Sequence, residues 1–304
     1  MKRTIVITGG TGFLAGILAK HFSAQNDRVF LLTRNPRPSD KHIQYVAWDG
    51  ESRGTWEKVL EGSDVVINMA GKSVDCRYHR KNKKAILASR INATKVIGTA
   101  IQVCKNPPKI WLNSSSATIY RHIFNRPMDE YTGEIGSGFS VDVCRSWEKS
   151  CLAFNTPRTR KVLLRTAMVL GHEGGVLPTL TTLVKARLGG KMGSGHQYVS
   201  WIHQHDFLNA IEFIIRDNTI SGACNLSSPI PISNKQFMQS LRDHYGIALG
   251  IPHIKPILEV GALLLQTETE LILKSRRVIP GKLLQQGYQF KYPSINQALA
   301  QLIS

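Results

Sequence analysis

Residues 5–16, reading Ile-Val-Ile-Thr-Gly-Gly-Thr-Gly-Phe-Leu-Ala-Gly, constrain this chain more than any other stretch. The run Ile5-Val6-Ile7 is β-branched throughout and predicts a buried strand. It breaks into glycines and then into a helical spacing of apolar residues, Phe13, Leu14, Ile17, Leu18 and Phe22. Strand, glycine turn and helix in that order make the phosphate-binding turn of a dinucleotide site. Gly9 lets the chain leave the strand tightly, and Gly12 removes a side chain where a pyrophosphate must approach the backbone. Thr11 belongs to the same turn. The helix opening at Gly12, Phe13 and Leu14 offers unpaired N–H groups to the anion.

The next elements repeat the alternation. A second strand covers 28–33 and ends at Thr33-Arg34, the place where NAD-binding folds carry an acidic residue for the ribose hydroxyls. A guanidinium there pairs with a 2′-phosphate, so Arg34 favours NADP over NAD. Strands at 43–48 and 64–70 follow, the latter closing on Asn68-Met69-Ala70-Gly71, and Asp49-Gly50 marks a turn near the adenine. A long helix is predicted over 83–103, stopped by Pro107-Pro108, then a strand at 110–112 opens into Ser114-Ser115-Ser116-Ala117-Thr118-Ile119-Tyr120. The last strands fall at 162–164 and 223–226, with helices near 206–216, 234–245 and 294–303. The expected class is α/β: a doubly wound parallel sheet with helices on both faces and a smaller C-terminal α+β part that covers the substrate. We divide it as 1–170 for the nucleotide-binding domain, with 201–226 returning to it, and 171–304 mostly for the smaller domain.

Composition narrows the function classes. The 304 residues, 42% hydrophobic and 20% charged, suit a globular protein. The stretch after Lys2-Arg3 carries the glycine motif and does not read as an export signal. The apolar segment 257–265 contains Glu259 and falls short of a membrane span. Five cysteines without a Cys-x-x-Cys pair read as reduced thiols in a cytoplasmic protein. Part of the net charge of +18 sits in 77–84, 158–161 and 274–277. These runs read first as solvated faces and second as attraction to an anionic small-molecule substrate. No motif for nucleic acid accompanies them. A homodimer is among the assemblies the sequence allows.

Several of these stretches resemble one family. The spacing Gly9-x-x-Gly12-x-x-Ala15 and the Asn68–Gly71 segment resemble the short-chain dehydrogenase/reductase superfamily in its extended, epimerase-like branch, which has a Rossmann-type fold. Ser114–Tyr120 resembles the segment that places the catalytic hydroxyl of these enzymes, here at Ser116. The family adds a Tyr-x-x-x-Lys pair about 25 residues later, on one helix face. The ammonium lowers the phenol's pKa so that it exchanges a proton while the nicotinamide exchanges a hydride. This chain has no such pair. On the expected helix 139–154, Phe139 and Val143 replace it in one register, Ser140 and Cys144 in the other, and the apolar stripe reads as core. The patterns Cys144-x-x-Trp147-Glu148, Gly193–Asp206 and 277–293, with Ser89-Arg90 and Thr94, are similar to a narrower group of epimerase family proteins with a C-terminal domain of unknown function.

Two functions are compatible with this. One is an NADP(H)-binding oxidoreductase or epimerase acting on a carbonyl or nucleotide-sugar-like substrate, with Ser116 orienting the oxygen and Tyr120, the nearest phenol in sequence, as a candidate acid. The other is a non-catalytic NADP(H)-sensing or protein-interaction protein on the same fold, related to cell division. Arg165 ends a strand on the face where the substrate cleft should open and is a candidate cofactor contact. Arg77, Tyr198, Trp201 and His203 are the candidate substrate contacts. Asp206 reads as a helix N-cap and Cys144 as a packed thiol. The histidines show no metal spacing, and no zinc site is expected.

Overall fold

The computed structural model describes residues 2–10, 12–253 and 270–303. The segment 257–265 and Thr11 lie outside the described residues. Seven strands make one parallel sheet: β1 (Thr4–Thr8), β2 (Arg28–Thr33), β3 (Ile43–Ala47), β4 (Val65–Asn68), β5 (Ile110–Ser116), β6 (Arg160–Thr166) and β10 (Gly222–Leu226). Their order across the sheet is β10-β6-β5-β4-β1-β2-β3. The chain winds outward from β1 to β3, then returns to the other side of β1 with β4. That reversal leaves a crevice above the C-terminal ends of β1 and β4, where open α/β sheets bind ligands.

The period-2 alternation of the strands decides the two layers. On β1, Ile5 and Ile7 join one core with Leu18 and Phe22 of α1 (Phe13–Ala24) and Phe207, Ile211 and Ile214 of α5 (Gln204–Arg216). Val6 points to the other face and packs with Ala93 and Ile97 of α2 (Arg80–Val103) and with Trp111 of β5. The helix α3 (Phe139–Leu152) lies beside α2 and adds Cys151 to that second core. Strands buried on both faces have to be apolar at nearly every position, which is why β1, β2 and β4 read as continuous apolar runs.

The C-terminal part has its own core. Leu177, Leu180 and Val184 of α4 (Leu177–Lys185) meet Phe237, Met238 and Leu241 of α6 (Asn234–His244) and Leu299 and Leu302 of the last helix, Ile295–Ile303. Two small pairings sit at its border: β7 (Met168–Leu170) with β9 (Trp201–His203), and β8 (Tyr198–Val199) with β11 (Ile232–Ser233). Between β9 and α6 the chain runs back through α5 and β10, the latter pairing with β6 in the main sheet.

One local expectation is corrected. Asp206 is not the N-cap of α5. The cap is His203, whose Nδ1 accepts the His205 N–H at 3.0 Å. The Asp206 carboxylate instead accepts the backbone N–H groups of Lys291 and Tyr292 at 2.8 and 2.9 Å, fastening the C-terminal segment to α5.

Candidate active site

A cleft of ≈ 540 Å³ opens above the sheet's C-terminal edge. Its floor is the glycine turn and the start of α1: Gly9, Gly12, Phe13 and Leu14. Gly9 has φ +79°, and a Cβ there would stand 2.7 Å from the Met69 carbonyl oxygen, so only glycine fits. Gly12 has an ordinary extended backbone, φ −83°, and what it provides is empty space, since a Cβ would meet only the Gly9 carbonyl at 3.3 Å. As N-cap, Gly12 gives α1 no side-chain acceptor, and the first turn carries no acidic residue. The helix opens on the cleft with backbone donors and no competing carboxylate, which suits a phosphate.

The strand ends supply the middle. Met69 and Gly71 line the cleft, while Ala70 and Asn68 are buried behind it. Asn68 is a structural node. Its Nδ2 donates to Asn113 at 2.8 Å and Thr94 at 3.1 Å, and its Oδ1 accepts from Thr8 and from the Ala70 N–H. Its role is therefore to shape the loop that faces the cleft. On β5, Ser116 lines the cleft; its hydroxyl donates to Thr118 Oγ1 at 3.0 Å and accepts the Thr118 N–H. Arg34 is exposed at the end of β2, next to a Thr33 hydroxyl that accepts the Asn35 N–H.

The far wall comes from α2, α3 and the loop between β4 and α2. Tyr78, Arg90, Phe139, Ser140, Val143, Cys144 and Trp147 all line it. The residues of both registers that replace the Tyr-x-x-x-Lys pair therefore face the cleft, and the α3 stripe is a wall rather than plain core. Tyr78 stacks edge-on against Phe139 with ring centroids 5.0 Å apart. Burial pushes the Cys144 thiol up to about 12, with Glu148 adding to it, so it remains a thiol near neutral pH.

Six expected contacts are placed elsewhere. Tyr120 is fully buried, its hydroxyl donating to Asn225 Oδ1 at 2.9 Å and accepting from Arg165 Nη1 at 3.0 Å. Burial raises its pKa, so it is poorly set to release a proton. Arg165 is not at the cleft: its Nε and Nη2 bind the two Glu148 oxygens, each at 2.9 Å. Trp201 is fully buried, its indole N–H on the Ile230 carbonyl. His203 is fully buried against Tyr292, with Nε2 2.8 Å from Gln301. Tyr198 lies under the Arg277 guanidinium, 4.8 Å from it, and neither Tyr198 nor Arg77 is part of the cleft wall.

Tyr78 lies inside the basic run 77–84 and Arg90 follows Ser89 on α2, so sequence alone does not mark either as a cleft residue. The basic runs are not uniformly solvated faces either. Arg158 caps the carbonyls of Lys105 and Cys104, and Arg276 is drawn inward onto the Thr118 carbonyl at 3.3 Å.

The family models match this arrangement. Residues 5–226 match the NAD dependent epimerase/dehydratase family, and 255–302 match a domain of unknown function, DUF1731. The chain belongs to the NAD dependent epimerase/dehydratase family. Among relatives, it is 34% identical over 302 residues to an epimerase family protein of Staphylococcus aureus (strain N315), covering 98% of each chain. It is also 34% identical to epimerase family protein YfhF of Bacillus subtilis (strain 168), covering 99% of this chain and 98% of that one. The crystal structure of human epimerase family protein SDR39U1 (isoform 2) with NADPH superposes with TM-score 0.87 at 27% identity, covering 98% of both chains. The family match thus spans the main sheet, from β1 to β10, and the second model covers the end of the C-terminal part, residues 255–302. Among the described residues of this epimerase-family chain, no helix is long and apolar enough to cross a membrane.

Proposed function

We propose that the chain is an NADP(H)-dependent oxidoreductase or epimerase acting on a carbonyl or hydroxyl-bearing small molecule. The observation that carries this is one continuous cleft joining the glycine turn at Gly9 and Gly12 to the Ser116 hydroxyl. The human relative crystallised with NADPH supports the choice of cofactor.

The residues present fit that cofactor. The N–H groups opening α1 and the space above Gly12 would hold the pyrophosphate, Arg34 the 2′-phosphate, and the backbone of Met69–Gly71 the middle of the molecule. When bound, NADPH supplies hydride chemistry. Ser116 orients the substrate's oxygen by hydrogen bonding. Tyr78 is the phenol of the cleft wall, and we assign it the proton exchange expected of the missing pair. Tyr120 is not assigned it, because its hydroxyl is already spent on Asn225 and Arg165.

A second reading has its own support: Phe139, Ser140, Val143 and Cys144 leave α3 without the phenol and ammonium of the family's chemistry. On that reading the protein senses NADP(H) without turnover. The separating experiment is a titration with NADPH and NADH by nicotinamide fluorescence, followed by a screen of carbonyl and nucleotide-sugar substrates at several pH values. Tight NADPH binding with turnover that falls in Ser116→Ala supports the enzyme. Tight binding without turnover on any substrate replaces it with the sensor, and no binding of either nucleotide removes both.

A further inference from the structure

Arg90 is a guanidinium whose protein partners stop halfway. Its Nη1 donates to the carbonyls of Lys72 and Ile86, each at 3.0 Å, and its carbon lies 5.0 Å from the Trp147 ring centre. A Cβ on Gly71 would approach that carbon to 3.1 Å, so the glycine makes room for it. Nε and Nη2 have no acceptor and Arg90 has no carboxylate partner among the described residues, yet neither nitrogen is sealed from the cleft. Arg165 shows how this chain completes the same edge when it intends to, with Nε and Nη2 each 2.9 Å from a Glu148 oxygen.

The surroundings point the same way. Among the described residues, the cleft wall contains Lys72 and Arg90 and no Asp or Glu. Behind Thr118, Arg276 is a second guanidinium with no ion pair among the described residues, held by one carbonyl. Burial pulls both arginines below their ordinary pKa, the mark of a positive charge left without its counter-charge. A part-buried cation is costly unless paired, and the Nε–Nη2 edge offers two parallel N–H groups matched to a planar oxyanion. The cofactor's own phosphates belong at Gly9 and Gly12, whereas Arg90 stands beyond Gly71 with Tyr78, Phe139 and Trp147.

We infer that the substrate carries a carboxylate or phosphate oxyanion and that Arg90 receives it through its open Nε–Nη2 edge. This rests on the cleft being the substrate site of the proposed reaction. The carbonyl compound is thereby an acid or a phosphate ester rather than a neutral aldehyde or ketone.

The test is calorimetric titration of the full chain, with and without NADPH, using oxalate, inorganic phosphate and the neutral oxamide as probes. Saturable binding of at least one anion is expected, with no binding of oxamide and a loss of about tenfold or more in Arg90→Gln. Preference for oxalate or for phosphate then says which oxyanion the substrate bears. Arg90→Lys keeps the charge without the fork and should fall between. Its melt serves as the folded control if Arg90→Gln does not unfold cooperatively. The inference is overturned by equal binding of oxamide and oxalate, by no saturable anion binding to the unmodified protein, or by anion affinity unchanged in both variants. A loss of NADPH affinity with anion binding intact overturns it too, because the edge would then serve the cofactor. Titration without NADPH reads Arg90 even where cofactor binding fails, so the two failures are distinguishable.

Discussion

Trp147 and Glu148 are adjacent on α3, yet they serve two different regions. Glu148 faces the interior between β5 and β6, where it takes the Ser115 hydroxyl at 2.6 Å and both arms of Arg165. From there the chain of bonds continues through Tyr120 to Asn225, whose N–H reaches Glu130 and whose Nδ2 reaches the Ile279 carbonyl. Ser115, Tyr120 and each of the three nitrogens of Arg165 there have a protein acceptor. Trp147 faces the cleft, where Arg90 rests on its ring with only Nη1 bonded to protein acceptors among the described residues. One helix thus separates a polar cluster completed by folding from one left for a ligand. The lesson is that a buried arginine or tyrosine is informative only once its partners are counted.

The sharpest way to break this contrast is through the two phenols. Tyr78→Phe should lower any NADPH-dependent turnover by about 10²–10⁴-fold, the usual worth of a general acid. Tyr120→Phe should do the reverse, costing about 1 kcal/mol of stability through its lost hydrogen bonds and leaving the rate within a few fold. Steady-state kinetics and denaturant melts on both variants decide it. A rate loss confined to Tyr120→Phe would return the acid to the position that sequence order suggests.

The arginines give the next largest effect. Glu148→Gln leaves Arg165 charged and under-partnered in the interior and should cost roughly 3–5 kcal/mol. Arg90→Gln removes a charge the protein never paired, and stability should change by less than about 1 kcal/mol. Similar losses in the two urea midpoints would mean that Arg90 is as structural as Arg165.

The completed interior should also show in acid. Burial pulls His203 down to about 4, against the opposing hydrogen bond to Gln301 and with small contributions from His205 and Lys291. A folded-state pKa below the unfolded value near 6.5 means stability that is full above that pH and lost as pH falls through 6.5 toward 4. The loss should reach about 3 kcal/mol at 1.36 kcal/mol per unit. Asp206 nearby is raised by burial and acts with the opposite sign, so the measurement compares melts of the unmodified chain and His203→Gln across pH 4–7. Parallel curves would show that His203 does not titrate as a buried imidazole.

The smallest effect belongs to the open rim. Arg34 is exposed and should matter only to the nucleotide. Arg34→Ala should shrink the preference for NADPH over NADH by roughly 1.5–3 kcal/mol, about 10- to 150-fold in the ratio of affinities. Equal affinities for the two nucleotides in the unmodified protein would remove the assignment.

Local order in the chain was enough to specify the nucleotide-binding half. Ile5–Ile7 followed by Gly9, Gly12 and the apolar spacing of α1 define a strand, a turn and a helix within twenty residues, and each rule involved is short in range. The same holds for Ser116, the last residue of β5, whose apolar start at Ile110–Leu112 announces the strand. The absence of Tyr-x-x-x-Lys was equally legible, because i,i+4 spacing on one helix is local. The roles of Arg90, Arg165, Tyr78 and Tyr120 were not. Tyr120 meets Asn225, 105 positions away, only because β10 closes the sheet beside β6. Glu148 meets Arg165 because α3 crosses over β5 and β6. Whether a charged or phenolic group is spent inside or left open to a ligand depends on partners delivered by separate elements, and tertiary packing alone fixes which elements meet.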